Sequence, residues 1–268
     1  WAPLAAKFMR NIMLAYERAN CSGLVINTSY SDAVIPWLKG SGLSSPDFGS
    51  GNLNHLIPRI QLAVAEEIGA DNICDIHVTL ATSHFHDVLI SKEGHTDGIS
   101  PLIHIRHGEK KLDLDVTKIY QKCALPMPVD SKRNMMNASS NFEIIAKIVD
   151  AIRKNTTHII HTPGVAGYLG GYPVRIDFRH HTAKEHHITF VEEYFSLEEM
   201  QLHNRQSIAC DGIEEVKDGV LTYTDQLREK IRKCFNVTIP KFVPFDKIEE
   251  TAQFLITEVI EPSKVKIK

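Results

Sequence analysis

The stretch ICDIHVTLATSHFHD, residues 73–87, holds the clearest strand of the chain and a polar sequence directly behind it. Residues 73–80 alternate well enough between apolar and polar side chains to predict a β-strand. In open α/β sheets, ligands bind just past the carboxyl ends of the strands. The first candidate site is therefore formed by Ser83, His84, Phe85, His86 and Asp87.

The sequence before this strand predicts alternating helices and strands. Helical periodicity covers residues 2–19, a short apolar strand covers 23–27, and a helix at about 32–38 ends close to two glycines. A further helix, at about 53–68, follows the sequence GSGN at 49–52. Such βα units predict a parallel sheet in the first part of the chain.

The sequence after residue 87 predicts an antiparallel α+β region. Strands are predicted at residues 102–106, 111–116, 156–161, 174–178 and 187–192, together with a hairpin at 213–224 that turns at Asp218 and Gly219. Helices are predicted at residues 139–154, 197–209, 225–235 and 247–259, and Ser196 with Glu199 forms a capping box before the second of them. The fold class is thus α/β, with a boundary between residues 1–87 and 88–268.

The composition excludes several classes of partner. The chain has 268 residues, 30 Lys plus Arg, 33 Asp plus Glu and a formal net charge of −3, so it offers no electrostatic reason to bind nucleic acid or an anionic membrane. No apolar run approaches the roughly 20 residues that cross a bilayer, and no signal-type segment is present. The 5 cysteines are far apart and fit reduced thiols. We expect a cytoplasmic protein.

The 14 histidines are the unusual feature of the composition. His84 and His86 would share a face if the strand continued and would diverge if it turned. An HxH pair can ligate a metal, which makes both histidines weak metal candidates, but such a site needs further ligands. We favour proton transfer, because imidazole titrates near neutral pH. The remaining histidines are predicted to be buried in strands, as His158 and His161, or solvated in a turn, as the four at 180, 181, 186 and 187.

Four motifs occur in an order that resembles the lactate and malate dehydrogenases. Residues 25–27 read VIN and are followed by Asp32, residues 49–54 read GSGNLN, residues 83–84 read SH, and residues 137–140 read NASS before a helix. In that family the corresponding elements are a strand that ends in asparagine, a turn that opens a long helix, a strand that ends at the catalytic histidine, and a later helix that begins with small hydroxylated residues.

The resemblance implies a fold and a reaction. The first part, 1–87, would be the remnant of a Rossmann-like parallel sheet, the second half of a dinucleotide-binding domain, and 88–268 an α+β domain for substrate and oligomerisation. The reaction would be hydride transfer between NAD or NADP and a small hydroxy acid or related alcohol or ketone. We also expect a homo-oligomer, and a longer full polypeptide, because the glycine-rich fingerprint of the family has no counterpart in this sequence.

The resemblance also implies a role for each motif residue. His84 would exchange a proton with the substrate oxygen, and Asn54 would orient His84. Asn27 would lie near the nicotinamide or the substrate oxygen. A substrate anion would meet one of two cations, Arg59 or Arg175, and Ser139 would line the pocket.

Two other functions remain open. The family has an aspartate where this chain has Asn54, and its substrate arginine has no equivalent nearer than Arg59. One alternative is the NAD- and metal-dependent glycosidases, which share the architecture and use a cysteine and a histidine as metal ligands. The other is a catalytically degenerate interaction module, which the loss of the carboxylate and the arginine favours.

Overall fold

The computed structural model of the protein describes residues 2–51, 53–125, 131–178 and 187–265. Its helices are α1 (Ala2–Arg18), α2 (Ser31–Gly40), α3 (Leu53–Ile68), α4 (His84–Glu93), α5 (Val116–Cys123), α6 (Ser131–Lys154), α7 (Leu197–Cys210), α8 (Asp225–Phe235), α9 (Ile248–Leu255) and α10 (Glu261–Val265). Its strands are β1 (Ile26–Asn27), β2 (Phe48–Gly49), β3 (Ile76–Ala81), β4 (Leu102–His107), β5 (Lys110–Lys111), β6 (Thr157–Pro163), β7 (Gly171–Asp177), β8 (Ile188–Phe190), β9 (Ile213–Lys217), β10 (Val220–Tyr223) and β11 (Phe242–Pro244).

The chain forms two compact units. Unit 1 takes Trp1–Gly49, Gly164–Leu169 and Ile208–Lys268, and unit 2 takes Ser50–Pro163 and Gly170–Ser207. This division differs from the expected boundary after residue 87, because the chain leaves unit 1 at Gly49 and returns to it twice. A boundary inferred from the order of elements along the sequence does not show such returns.

Unit 1 contains the short parallel pair of the molecule. Strand β1 pairs in parallel with β2, in the register Ile26 with Phe48 and Asn27 with Gly49. Strands β9, β10 and β11 form an antiparallel sheet, in which β9 and β10 make the predicted hairpin around Asp218 and Gly219. The core of the unit is built by α1, α2 and this sheet, with Trp37 packed edge-on against Phe245.

Unit 2 contains two antiparallel sheets, with the strand orders β3-β4-β5 and β6-β7-β8. Strand β3 pairs antiparallel with β4 along its whole length, from Ile76 opposite His107 to Ala81 opposite Leu102. The expectation that β3 continues a parallel sheet is therefore wrong. The apolar–polar alternation of residues 76–80 is typical of an antiparallel strand, whereas the order of helices and strands before it had suggested a parallel one.

The polar sequence behind β3 forms a helix and not a loop. Ser83 has extended backbone angles and stands at the N-cap of α4, which begins at His84 and ends at Gly94 in the left-handed region. The Ser83 side chain does not cap the helix, because its hydroxyl contacts Ser207 instead. His84 and His86 consequently lie in the first turn of α4.

Several elements match their predictions. Strands β4 and β5 form the expected hairpin, and Ser196 makes the capping box with Glu199, whose carboxylate accepts from the Ser196 amide at 2.7 Å. Helix α6 begins at Ser131, earlier than the predicted residue 139. The mixed α/β class is thus observed, with one short parallel pair and small antiparallel sheets.

The described helices include no candidate for a membrane span. None of them combines the length and the apolar character that crossing a bilayer requires.

Candidate functional site

The two histidines of the HxH motif point in different directions. Two residues on an α-helix are separated by about 200° around the axis, so His84 and His86 diverge. His84 is half-buried, with its Nδ1 atom 3.9 Å from a carboxylate oxygen of Asp87, whereas His86 is fully buried. The motif therefore does not present two imidazoles to one ligand.

His86 belongs to a buried polar group that we call the Ser207 cluster. Its members are Thr82, Ser83, His86, His203 and Ser207, and each is less than a tenth exposed. The Ser207 hydroxyl lies 2.6 Å from His86 Nδ1 and 2.6 Å from the Ser83 hydroxyl. His203 Nε2 lies 3.1 Å from the Thr82 hydroxyl. The cluster thus joins the end of β3, the start of α4 and helix α7.

Both imidazoles of the Ser207 cluster resist protonation. Burial lowers the pKa of His86, against a smaller raising effect from the Thr96 backbone and the Asp97 charge. Burial and the neighbouring His86 lower the pKa of His203 to about 4. Neutral, enclosed imidazoles suit a packing role better than proton exchange with a substrate.

Metal binding by these histidines lacks a donor set among the residues that the structure describes. In the ranges 2–51, 53–125, 131–178 and 187–265, no three or more His, Cys, Asp or Glu side chains come together in a way that could hold an ion. His180, His181 and His186 fall outside those ranges. His187 is buried and stacked on Phe178, so it is not the solvated turn histidine that we predicted.

A second site is an open cavity of about 180 Å³, which we call the Lys147 cavity. It lies within unit 2, between α3, α6 and the strands β3, β4 and β6. Its lining residues are Asn54, Ile57, Gln61, His77, Val78, Thr79, Arg106, Glu143, Lys147, Ile159 and His161. This volume is below the roughly 300–1,000 Å³ of typical ligand pockets, so the cavity can hold only a small molecule.

The Lys147 cavity carries a positive charge. Arg106 and Lys147 contribute two positive charges and Glu143 one negative charge, which leaves +1 when the histidines are counted as neutral. Glu143 pairs with Lys147 one turn away, at 2.6 Å. Arg106 donates to the Gly108 carbonyl and lies 3.6 Å from Glu109, which is fully exposed. Both cations are therefore held in place beside the open volume.

His161 lines the same cavity and is held in one tautomer. The Leu80 backbone N–H donates to His161 Nε2 at 3.2 Å, so in the neutral ring the proton must lie on Nδ1. Burial, assisted by the Lys147 charge, lowers the pKa of His161 to about 3. A neutral imidazole of fixed tautomer can donate a hydrogen bond to a ligand, but it cannot take up a proton near pH 7.

Among the predicted site residues, Asn54 lies in this cavity. Its side-chain amide donates to the Ser140 carbonyl, at 3.5 Å. His84 is not a lining residue, and the contacts of Asn54 do not join it to His84. The structure therefore does not bring the two predicted catalytic residues together.

Arg59 and Ser139 lie away from the Lys147 cavity. Arg59 is buried and donates to the carbonyls of Ser91, at 2.8 Å, and of Cys123, at 3.4 Å. Burial lowers its pKa. Ser139 is exposed, while its neighbour Ser140 is buried and donates to Gly51 at 2.6 Å. The Arg59 guanidinium is thus engaged by backbone carbonyls, and its contact with a substrate anion stays a prediction.

Asn27 and Arg175 do not line the Lys147 cavity either. Asn27 is fully buried in unit 1, and its amide both accepts from the Ser29 N–H and donates to the Ser29 carbonyl, each at 3.0 Å. Its side chain is therefore engaged within the fold, and its contact with a nicotinamide or a substrate stays a prediction. Arg175 is exposed on β7, opposite Ile159 and Thr189.

Sequence reasoning missed the charged residues of the cavity. Arg106 belongs to a strand predicted only as half of a hairpin, and Glu143 and Lys147 look like an ordinary surface pair one helical turn apart. The weak signal was that such a pair occurs on the helix that contains the NASS motif.

No protein-family model matches this sequence, and no curated protein sequence matches it either. The similarity to the dehydrogenases consequently rests on the four motifs alone.

Proposed function

We propose that this chain binds the carboxylate of a small hydroxy or keto acid in the Lys147 cavity, as the substrate-binding part of an NAD(P)-dependent oxidoreductase of the lactate/malate dehydrogenase type. The observation that carries the binding is that two cationic side chains line a small polar cavity. Arg106 and Lys147 line it against the single carboxylate of Glu143. Charge-assisted hydrogen bonds from such cations are the strongest that a protein can offer a carboxylate.

Two neutral groups would orient the bound acid. The remaining ring donor of His161 is Nδ1–H, because Nε2 already accepts from Leu80. Asn54 adds an amide beside it. A hydroxyl or keto oxygen next to the carboxylate could then accept from His161 or exchange hydrogen bonds with Asn54.

The oxidoreductase part of the proposal is supported by the motif order and not by the cavity. The buried amide of Asn27, engaged on both sides by Ser29, does not fit the predicted contact with NAD or NADP. We therefore assign no described residue to the cofactor. The resemblance implies proton exchange by His84, but His84 does not line the cavity, so we assign it no role towards an acid bound there.

A second candidate function is a binding module that does no redox chemistry. It is favoured by His161, whose pKa of about 3 prevents proton exchange near neutral pH, and by Asn54, which cannot stabilise an imidazolium as a carboxylate would. Such a module would bind the same anions in the same cavity without turnover.

Calorimetric titration with lactate, malate, pyruvate and oxaloacetate tests the binding. We expect at least one acid to bind and lactamide, which lacks the carboxylate, to bind far more weakly. Arg106→Gln should weaken the affinity about tenfold or more, since a charged hydrogen bond contributes about 1.5–3 kcal/mol. Arg175→Gln is the matched control and should leave the affinity unchanged. If no acid binds, or if the two variants behave alike, the proposed site is wrong.

Turnover separates the two functions. For an oxidoreductase, adding NADH or NADPH to a keto acid that binds, or NAD or NADP to a hydroxy acid that binds, should change the nicotinamide absorbance. Binding of the acid without fluorescence change on NADH titration, and without turnover, would instead support the binding module.

A further inference from the structure

Helix α6 has two apolar faces, and one of them is exposed. The buried face carries Ile144, Ile148 and Ala151. The other face carries Met135, Phe142, Ile145, Val149 and Ile152, which are between 37% and 72% exposed. A helix that packs one face in a core normally presents charged or polar residues on the opposite side. The second apolar face therefore calls for a partner.

The exposed face follows a heptad repeat. With Ala138 included, the apolar positions are 135, 138, 142, 145, 149 and 152, which alternate in steps of three and four residues. We call this set the α6 stripe. Steps of three and four are the pattern by which one helix packs along another, because they keep a straight seam facing the partner.

We propose that the α6 stripe is a homodimer interface, in which α6 of one chain packs antiparallel against α6 of a second copy around a twofold axis between Phe142 and Ile145. The stripe is symmetric about that point. An antiparallel pair places Met135 opposite Ile152 of the other copy and Ala138 opposite Val149. Each contact occurs twice, as a twofold interface requires.

The residues beside the stripe permit this packing. Ser139 and Ala146 flank it on one side, and both are small and exposed. In the antiparallel arrangement Ser139 of one copy lies near Ala146 of the other, so neither like charges nor bulky side chains meet there. Ser139, predicted to line the substrate pocket, is thereby assigned to the edge of the interface.

The area fits a dimer. The five large side chains are between 37% and 72% exposed, which amounts to about 500 Å² per copy if each has a full area of about 180 Å². Two copies would bury about 1,000 Å², which reaches the size of the smallest specific interfaces. The proposal does not depend on the function of the Lys147 cavity, because Glu143 and Lys147 lie on a different side of α6 from the stripe.

Light scattering of the full chain during gel filtration tests the proposal. We expect a dimer at about 100 μM, and we expect Phe142→Glu with Ile145→Glu to weaken dimerisation at least about a hundredfold. The matched control is Phe8→Glu with Ile12→Glu on α1, since these residues are 73% and 50% exposed, against 72% and 50% for Phe142 and Ile145. The control should remain a dimer.

Disulfide formation tests the antiparallel geometry. A chain with Ala138→Cys and Val149→Cys should form a covalent dimer through residue 138 of one copy and residue 149 of the other, identified by mass spectrometry of the linked peptides. Two such cysteines within one helix are too far apart to bond. The proposal would be overturned if the unmodified chain were monomeric. It would also be overturned if the dimer survived the Phe142 and Ile145 substitutions, or if the α1 control dissociated the dimer as well. Cross-linking of Ala138→Cys alone to its own copy would indicate a parallel pair and overturn the stated geometry.

Discussion

The Ser207 cluster and the Lys147 cavity both lie in unit 2, and both contain a buried imidazole that stays neutral, yet they differ in what surrounds the ring. In the cluster, His86 meets the Ser207 hydroxyl at 2.6 Å, and five side chains fill the space between β3, α4 and α7. In the cavity, His161 is fixed by the Leu80 amide but faces open volume with Arg106 and Lys147 around it.

The difference shows which features indicate a binding site. A buried histidine with hydrogen-bond partners occurs in both places, so burial and a lowered pKa do not distinguish packing from function. Unfilled volume lined by cationic side chains occurs only in the second of the two. We therefore expect changes in the cluster to affect stability, and charge changes in the cavity to affect ligand binding.

The largest effect should be the loss of stability in acid, to which each region contributes one histidine. His203 and His161 have folded pKa values of about 4 and about 3, below the unfolded value of about 6.5. The unfolded chain therefore binds protons that the folded chain does not. Their contribution is complete above pH 6.5 and is lost as the pH falls from there towards each folded pKa.

Urea unfolding at pH 7 and pH 5 measures this loss. Each histidine should account for about 2 kcal/mol of the difference in unfolding free energy, hence about 4 kcal/mol together. His203→Gln and His161→Gln should each remove about half of that. If neither variant flattens the pH dependence, the two rings are not held neutral in the folded chain.

A carboxylate bound in the cavity should change the pKa of His161 and leave that of His203 unchanged. Saturating acid in the cavity places a negative charge near His161, which raises its pKa, while the pKa of His203 should not move. Histidine NMR titrations with and without the acid would show this directly. Equal movement of both resonances would contradict the separation of the two regions.

The next effect is the packing cost of removing His86. His86→Ala deletes a fully buried ring and takes one hydrogen-bond partner from the Ser207 hydroxyl, which should lower the unfolding free energy by about 3 kcal/mol. His84→Ala, two residues earlier on the same helix, should cost less than about 1 kcal/mol, because His84 is half-exposed. Chemical denaturation of both variants checks the difference. A His86→Ala chain as stable as the His84→Ala chain would refute the packing role.

A substitution of Arg59 tests whether this buried arginine stabilises the fold or binds the carboxylate. Arg59→Met removes the donors to the Ser91 and Cys123 carbonyls, so we expect a loss of about 2 kcal/mol in unfolding free energy. Carboxylate affinity should stay within about twofold, in contrast to Arg106→Gln. Calorimetry on the folded variant decides between the two roles. A loss of affinity as large as that of Arg106→Gln would support Arg59 as the substrate arginine.

The sequence predicted elements whose signals are local. The helix that Ser196 and Glu199 open and the hairpin at Asp218 depend on neighbouring residues, and both were located correctly. The pairing of β3 was mispredicted, because the order of helices and strands before it outweighed the strand's own apolar–polar alternation, which is typical of antiparallel sheets.

The candidate site was partly predictable for a related reason. Asn54 was found because it follows a recognisable turn sequence, whereas Arg106, Lys147 and His161 come from a hairpin strand, a helix face and a strand far apart in the chain. Their proximity is a property of the tertiary packing of unit 2. Residues that act together only after folding leave no common spacing in the sequence.

The smallest effect should come from adding one charge to the cavity. Asn54→Asp supplies the carboxylate that the dehydrogenase motif has at this position, but beside Lys147 and Arg106 it would cancel the surplus positive charge. We expect carboxylate affinity to fall about threefold to tenfold, with unfolding free energy changed by less than about 1 kcal/mol.

Asn155→Asp is the matched control, because Asn155 is exposed in unit 2, does not line the cavity, and has a backbone φ of 53° that aspartate tolerates. Calorimetry at low and high salt should show the Asn54→Asp effect shrinking as the charges are screened. An affinity that rises instead would mean that the introduced carboxylate orients a cationic imidazole, as in the dehydrogenases, and that the cavity is organised by its histidines and not by its net charge.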